Sequence, residues 1–99
     1  MNLDTAYLKE HLLSLLQIPS PSGYTDQIVH YVCHELETLG LSYNVTRRGA
    51  IRATLAGKNK SMDRAVCVHL DTLGAMVSQL KANGRLAIWP FTVFRHWKL

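Results

Sequence analysis

At Gly40 the spacing of apolar residues changes, and this change limits the fold more than any other feature of the chain. Before it, apolar side chains recur every three or four positions: Leu8, Leu12, Leu15 and Leu16, then Ile28, Val32, Leu36 and Leu39. That repeat belongs to helices with one face turned inward. After it they alternate, as Leu41, Tyr43 and Val45, then Ile51, Ala53 and Leu55. Alternation is the repeat of a strand. The expected class is therefore α/β, with two helices leading into strands.

The breakers set the boundaries. Asp4 or Thr5 can cap the first helix, and Pro19 ends it, because Ile18 before a proline is pushed out of the helical region. "PSPSGYT" reads as a turn. The second helix is predicted from about Tyr24 or Thr25 to Leu39, with Gly40 at the left-handed position just past its end. Residues 41–55 read as a strand pair turning at Arg48-Gly49. "GKNKSMD" is a polar loop, and "RAVCVHL", residues 64–70, is a nearly continuous apolar run of the kind a strand covered on both faces carries. Asn83-Gly84, flanked by alternating apolar residues, is a strong hairpin signal. The two helices are expected to pack on a sheet made by residues 41–55 and 64–70, with the Asn83-Gly84 hairpin projecting from it.

Composition narrows the class. A chain 47% hydrophobic and 18% charged is globular in character. It holds no apolar stretch of about 18 residues, so no membrane span is expected. "MNLDTAYLKEHLL" lacks the basic start and apolar stretch of a signal peptide. Cys33 and Cys67 sit in apolar patterns far apart and are read as reduced, buried thiols of a cytoplasmic protein. Charge is divided: residues 1–40 carry one lysine against five acids, whereas residues 41–99 carry ten lysines and arginines against two acids. A basic second half can mark a nucleic-acid surface. It is also what results when basic residues are simply spread over loops and strands, and that is the reading preferred here.

His69 and Asp71 bear the most chemistry. Two apart on a strand, they point to one side, at the C-terminal end where α/β sheets place ligands. A zinc-ligating imidazole needs its second nitrogen held by an acceptor, and a His-x-Asp pair can supply both. Alone, His-Leu-Asp is also a common strand end. His30 and His34 could form a helix-surface metal pair; they read as solvated positions.

The order of "IPSPSGYT", a helix ending "LETLG", "RRGAIRATLAG" and "VCVHLDTLGAMV" resembles the co-catalytic metallo-aminopeptidases of the glutamyl-aminopeptidase and tetrahedral-aminopeptidase type, metallopeptidase family forty-two. The resemblance runs from Leu3 to about Ile88. It implies that His69 is the first metal-ligand histidine and that Asp71 is the acidic residue of the catalytic machinery that orients it. Thr72 stands where the family commonly has an acidic residue, which leaves substrate and subgroup open. Gly74 matches the glycine where the chain leaves the catalytic sheet for an inserted β-barrel domain.

The resemblance thus implies residues 1–74 as the N-terminal part of a zinc-peptidase-like α/β domain, two helices on a small mixed sheet. Residues 75–88 would open the inserted β domain, and residues 89–99 are a tail foreign to the family pattern, such as a frame change near Trp89 would produce. In the family, two divalent metal ions of zinc or cobalt type are held by further acidic ligands and a second histidine, with a glutamate as general base. His11, His30, His34 and His96 match none of these. The expectation is an N-terminal fragment of a cytoplasmic, peptide-cleaving homo-oligomer that neither holds the metals stably nor acts alone. The alternative is a non-enzymatic α/β interaction module whose basic surface comprises Arg47, Arg48, Arg52, Lys58, Lys60 and Arg64.

Overall fold

The computed structural model describes residues 2–59 and 61–90. Helix α1 spans Thr5–Gln17. It starts where the Asp4 carboxylate accepts the backbone N–H groups of Ala6 (3.1 Å) and Tyr7 (3.0 Å), two donors that a helix start otherwise leaves unpaired. It stops at Ile18, whose ψ of 115° is extended, as Pro19 requires.

Helix α2 spans Asp26–Thr38. Its end is a Schellman arrangement: Leu41 N–H donates to the Leu36 carbonyl and Gly40 N–H to that of Glu37, each at 2.9 Å. Gly40 takes the required positive φ, 68°. Ile28 and Cys33 are the buried apolar residues among those described, and both lie on α2. Between the helices, His11 on α1 is the meeting point. Its ring lies 4.0 Å from that of Tyr7, and its Nδ1 faces the Tyr31 hydroxyl at 3.3 Å and the Glu35 carboxylate at 3.5 Å.

Two antiparallel hairpins follow. In the first, β1 (Tyr43–Val45) pairs with β2 (Ile51–Ala53); in the second, β3 (Ala75–Leu80) pairs with β4 (Leu86–Pro90). Their turns are built alike. In each, the glycine N–H donates to the carbonyl three residues back: Gly49 to Thr46 and Gly84 to Lys81, both at 2.9 Å. The residue opening each turn then donates its N–H across the hairpin, Thr46 to Ala50 at 2.8 Å and Lys81 to Arg85 at 2.9 Å. Gly49 and Gly84 have φ of 82° and 76°, the left-handed position that closes a three-residue hairpin loop. Ser78 has no partner across the second ladder; it is a β-bulge whose hydroxyl donates to the Ala87 carbonyl at 3.1 Å.

The helices, both hairpins and the mixed α/β class agree with the sequence. Three expectations do not. Residues 64–70 form no strand, and among the described residues none of their backbone groups joins a ladder. The small mixed sheet is therefore absent: each described sheet has two antiparallel strands and no third. Cys67 is exposed, not buried, whereas Cys33 is buried. The cause is common to all three. An apolar run with two inward faces needs a strand along each edge and cover above and below, and neither hairpin lies beside this one. Val66 and Val68 are accordingly 91% and 80% exposed. The Cα radius of gyration is 18.5 Å, against about 13 Å for a compact domain of this length. Trp89 and Pro90 close β4 opposite Met76 and Ala75; the rest of the expected foreign tail, residues 91–99, lies outside the described residues.

Candidate functional site

The turn after α1 reaches across to residues 70–72, and this contact organises the site. Pro21, Ser22, Gly23 and Tyr24 make a β-turn in which Tyr24 N–H donates to the Pro21 carbonyl at 2.8 Å. Gly23, at φ 87°, supplies the positive torsion that the third turn residue needs. One residue earlier, Ser20 is fully buried. Its carbonyl accepts Thr72 N–H at 2.8 Å, and its hydroxyl donates to the Leu70 carbonyl at 3.0 Å. Pro21 and Thr72 thereby form one rung of parallel pairing. Two short segments about fifty residues apart are clipped together from both sides of Asp71.

Within this clip His69 and Asp71 do converge. His69 Nδ1 faces the Asp71 carbonyl oxygen at 3.0 Å and its carboxylate Oδ1 at 3.2 Å. Both partners are acceptors, so a neutral ring carries its proton on Nδ1. Nε2 is then left with its lone pair, the form in which imidazole binds a metal. The His69 side chain is 84% exposed, so Nε2 is open to approach. The other carboxylate oxygen of Asp71, Oδ2, accepts the Ser22 hydroxyl at 2.8 Å. The Ser22 hydrogen bond, and after it that of His69, hold the Asp71 carboxyl below its usual value, against a desolvation effect that acts upward.

The remaining candidates stay apart. His30 and His34 are exposed on α2, as a solvated pair would be. Of the basic candidates, Arg47, Arg48, Arg52, Lys58 and Arg64 are exposed but divided between the β1–β2 hairpin and the loops after it, and Lys60 lies outside the described residues. Arg47 and Arg48 line an open groove of about 610 Å³ with Thr25, His30 and Cys33. At its edge the Tyr43 hydroxyl donates to the Glu37 carboxylate, and this bond is the main cause that raises the phenol's pKa well above normal.

Ser20 and Ser22 were not singled out as site residues from the sequence, where "PSPSG" reads as a turn and as one stretch of the resemblance. The available signal was chemical. Two hydroxyls inside a rigid Pro- and Gly-bounded turn are donors in fixed positions.

The described residues include no group of three or more histidines, cysteines, aspartates or glutamates able to surround a metal ion. What they bring together is one imidazole and one carboxylate, His69 and Asp71. They do not fit the pair of divalent metal ions that the resemblance implies.

A family model described as M42 glutamyl aminopeptidase matches residues 49–92, which include His69 and Asp71. A putative aminopeptidase, YhfE, of Bacillus subtilis (strain 168) is 38% identical over 87 residues, covering 88% of this chain and 25% of that protein. The glutamyl aminopeptidase of Lactococcus lactis subsp. cremoris (strain MG1363) is 30% identical over 84 residues, covering 84% of this chain and 24% of that one. The chain thus spans about a quarter of the length of the curated relatives it matches. Over the residues that match, this chain belongs to the M42 glutamyl aminopeptidase family.

Proposed function

We propose that this chain carries the first metal-ligand element of an M42-type metal-dependent aminopeptidase, with His69 as ligand and Asp71 as the residue that orients it. The observation that carries the reading is the engagement of His69 Nδ1 by two Asp71 oxygens, which leaves Nε2 exposed and, in the neutral ring, free of a proton. In this reading residues 1–74 belong to the catalytic domain and residues 75–88 open an inserted β domain around the β3–β4 hairpin. The substrates of the complete site are short peptides cleaved from the N-terminus, in the cytoplasm, by a homo-oligomer. Cys33 and Cys67 are free thiols, in keeping with a reducing compartment. No helix among the described residues is long and apolar enough to cross a membrane.

Alone, the 99-residue chain is inactive in this reading. One histidine and one supporting carboxylate cannot hold two metal ions, and groups that act as a unit lose nearly all of their effect when one is removed. The ligand assignment is tested by adding substoichiometric Co²⁺ to the purified chain and following the histidine side chains by NMR. Resonances of His69 should broaden before those of His11, His30 and His34, and should not do so in Asp71→Ala. Equal broadening of His30 and His34 would overturn the assignment. Chelator-sensitive release of N-terminal residues from peptides by the chain alone would overturn its inactivity.

A further inference from the structure

The hydrogen bond from Ser22 to Asp71 links residues 49 positions apart. Asp71 stands on an exposed stretch, with 43% of its side chain open to solvent. A carboxylate so placed has several rotamers available, and only some bring Oδ1 to His69. Ser22 removes that freedom. Its hydroxyl takes Oδ2 at 2.8 Å, and the remaining oxygen, Oδ1, is left 3.2 Å from His69 Nδ1.

Ser22 can do this because it is itself held. It is the second residue of the Pro21–Tyr24 turn, which closes through the 2.8 Å bond from Tyr24 N–H to the Pro21 carbonyl. Next to that turn, Ser20 bonds Thr72 through its carbonyl and Leu70 through its hydroxyl, fixing the residues on either side of Asp71. The donor and its acceptor are therefore mounted on one small latched unit, which needs neither hairpin for its geometry.

We propose that Ser22 is a positioning residue: by holding Oδ2 of Asp71 it turns Oδ1 to His69 and so sets the Nδ1–H tautomer that leaves Nε2 as a metal-ligand atom. The proposal rests on the reading of His69 as a ligand, and extends it to a residue in the turn after α1. The backbone carbonyl of Asp71 also faces Nδ1, at 3.0 Å. Loss of Ser22 should therefore shift the tautomer balance without inverting it completely.

The test is made on the full chain without metal. Long-range ¹H–¹⁵N NMR at a pH where the ring is neutral gives the ratio of Nδ1–H to Nε2–H forms of His69. The Nδ1–H form should dominate in the parent chain. In Ser22→Ala the ratio should fall about fivefold, the effect of one ordinary hydrogen bond, and Ser22→Thr, which keeps the hydroxyl, should restore it. The proximity of Ser20 to Leu70, read from the nuclear Overhauser effect, reports whether the latched unit survives each change. With that contact intact, an unchanged ratio in Ser22→Ala, or no restoration in Ser22→Thr, overturns the proposal. Should Ser22→Ala lose the contact, Ser22→Cys carries the test, because it keeps the shape with a much weaker donor. It too should lower the ratio, and a parental ratio there overturns the proposal. No metal enters this measurement, so its failure would leave the cobalt test of His69 standing, and the reverse.

Discussion

The β3–β4 hairpin and residues 64–70 are both apolar, both extended in expectation, and separated by only a few residues, yet one is laddered and the other is not. The difference is where each finds its partner. β3 meets β4 across a three-residue loop, so the closure entropy is small and the turn chemistry of Asn83 and Gly84 fixes the register. Residues 64–70 have no complementary run nearby. Their pairing needs strands remote in sequence, and its stabilisation comes only when faces are covered as well as edges. Local strand pairs are therefore written in their own residues, whereas a central strand is half-defined by what lies against it. The clip around Asp71 lies between these cases. It spans a long sequence separation but is held by a handful of polar bonds from a pre-bent turn, and needs little buried area.

The comparison breaks most directly at the two turn glycines. Nothing lies within 4 Å of a Cβ built on Gly49 or Gly84, so substitution there meets no steric neighbour. What remains is the left-handed backbone, which costs a residue with a side chain roughly 1–2 kcal/mol. Gly84→Ala should weaken β3–β4 by that amount, seen as faster amide exchange at Val77 and Ile88, and leave the clip unchanged. Gly49→Ala should do the same to β1–β2. If either hairpin kept its exchange protection, covering contacts rather than the turn would be what holds it.

How much of this was legible follows the same division. Asp4 as a cap, the stop before Pro19 and the Schellman glycine at Gly40 are local signals, and each is found where the sequence places it. Arg48-Gly49 and Asn83-Gly84 mark both hairpins, each closing a three-residue loop. His69 and Asp71 were legible as a pair because the contact between them spans two residues. Ser20 and Ser22 were not, since their partners lie about fifty residues on and no periodicity points there. The strand expected at 64–70 fails for the opposite reason: its composition describes an environment that the described residues do not supply.

A smaller effect is expected inside the clip. Ser20→Ala removes a buried hydroxyl and leaves the Leu70 carbonyl without that donor, at a cost of about 0.5–1.5 kcal/mol. Amide exchange at Thr72, whose N–H bonds the Ser20 carbonyl, should quicken while the helices are unaffected. Acid acts on the same unit. Because the folded Asp71 carboxyl lies below its ordinary value of 3.8, its contribution is complete above that value and is lost as pH falls through the lower folded one. The Ser22–Asp71 hydrogen bond should thus persist at mildly acidic pH and weaken only below the ordinary carboxylate value. In Ser22→Ala, which removes the main cause of the lowering, the Asp71 carboxyl should titrate closer to its ordinary value, as followed by its side-chain ¹³C resonance.

The smallest effect is expected where the sequence is most apolar. Fully burying a valine or a residue of similar size contributes about 1.5–3 kcal/mol, so removing two such side chains from a core would be plainly measurable. Val66 and Val68 are 91% and 80% exposed, and their exchange for threonine removes almost no buried surface. The double change Val66→Thr with Val68→Thr should therefore alter stability by less than about 0.5 kcal/mol, as surface substitutions do. Urea denaturation of the dilute chain, followed by the circular dichroism of α1 and α2, measures it. The same substitutions should reduce binding of a hydrophobic dye and lower the tendency to aggregate, because an open apolar strand is a template for association. A loss of several kcal/mol, growing with protein concentration, would instead mean that residues 64–70 are covered in solution by another copy of the chain. The segment would then have found from outside the neighbours that its composition requires.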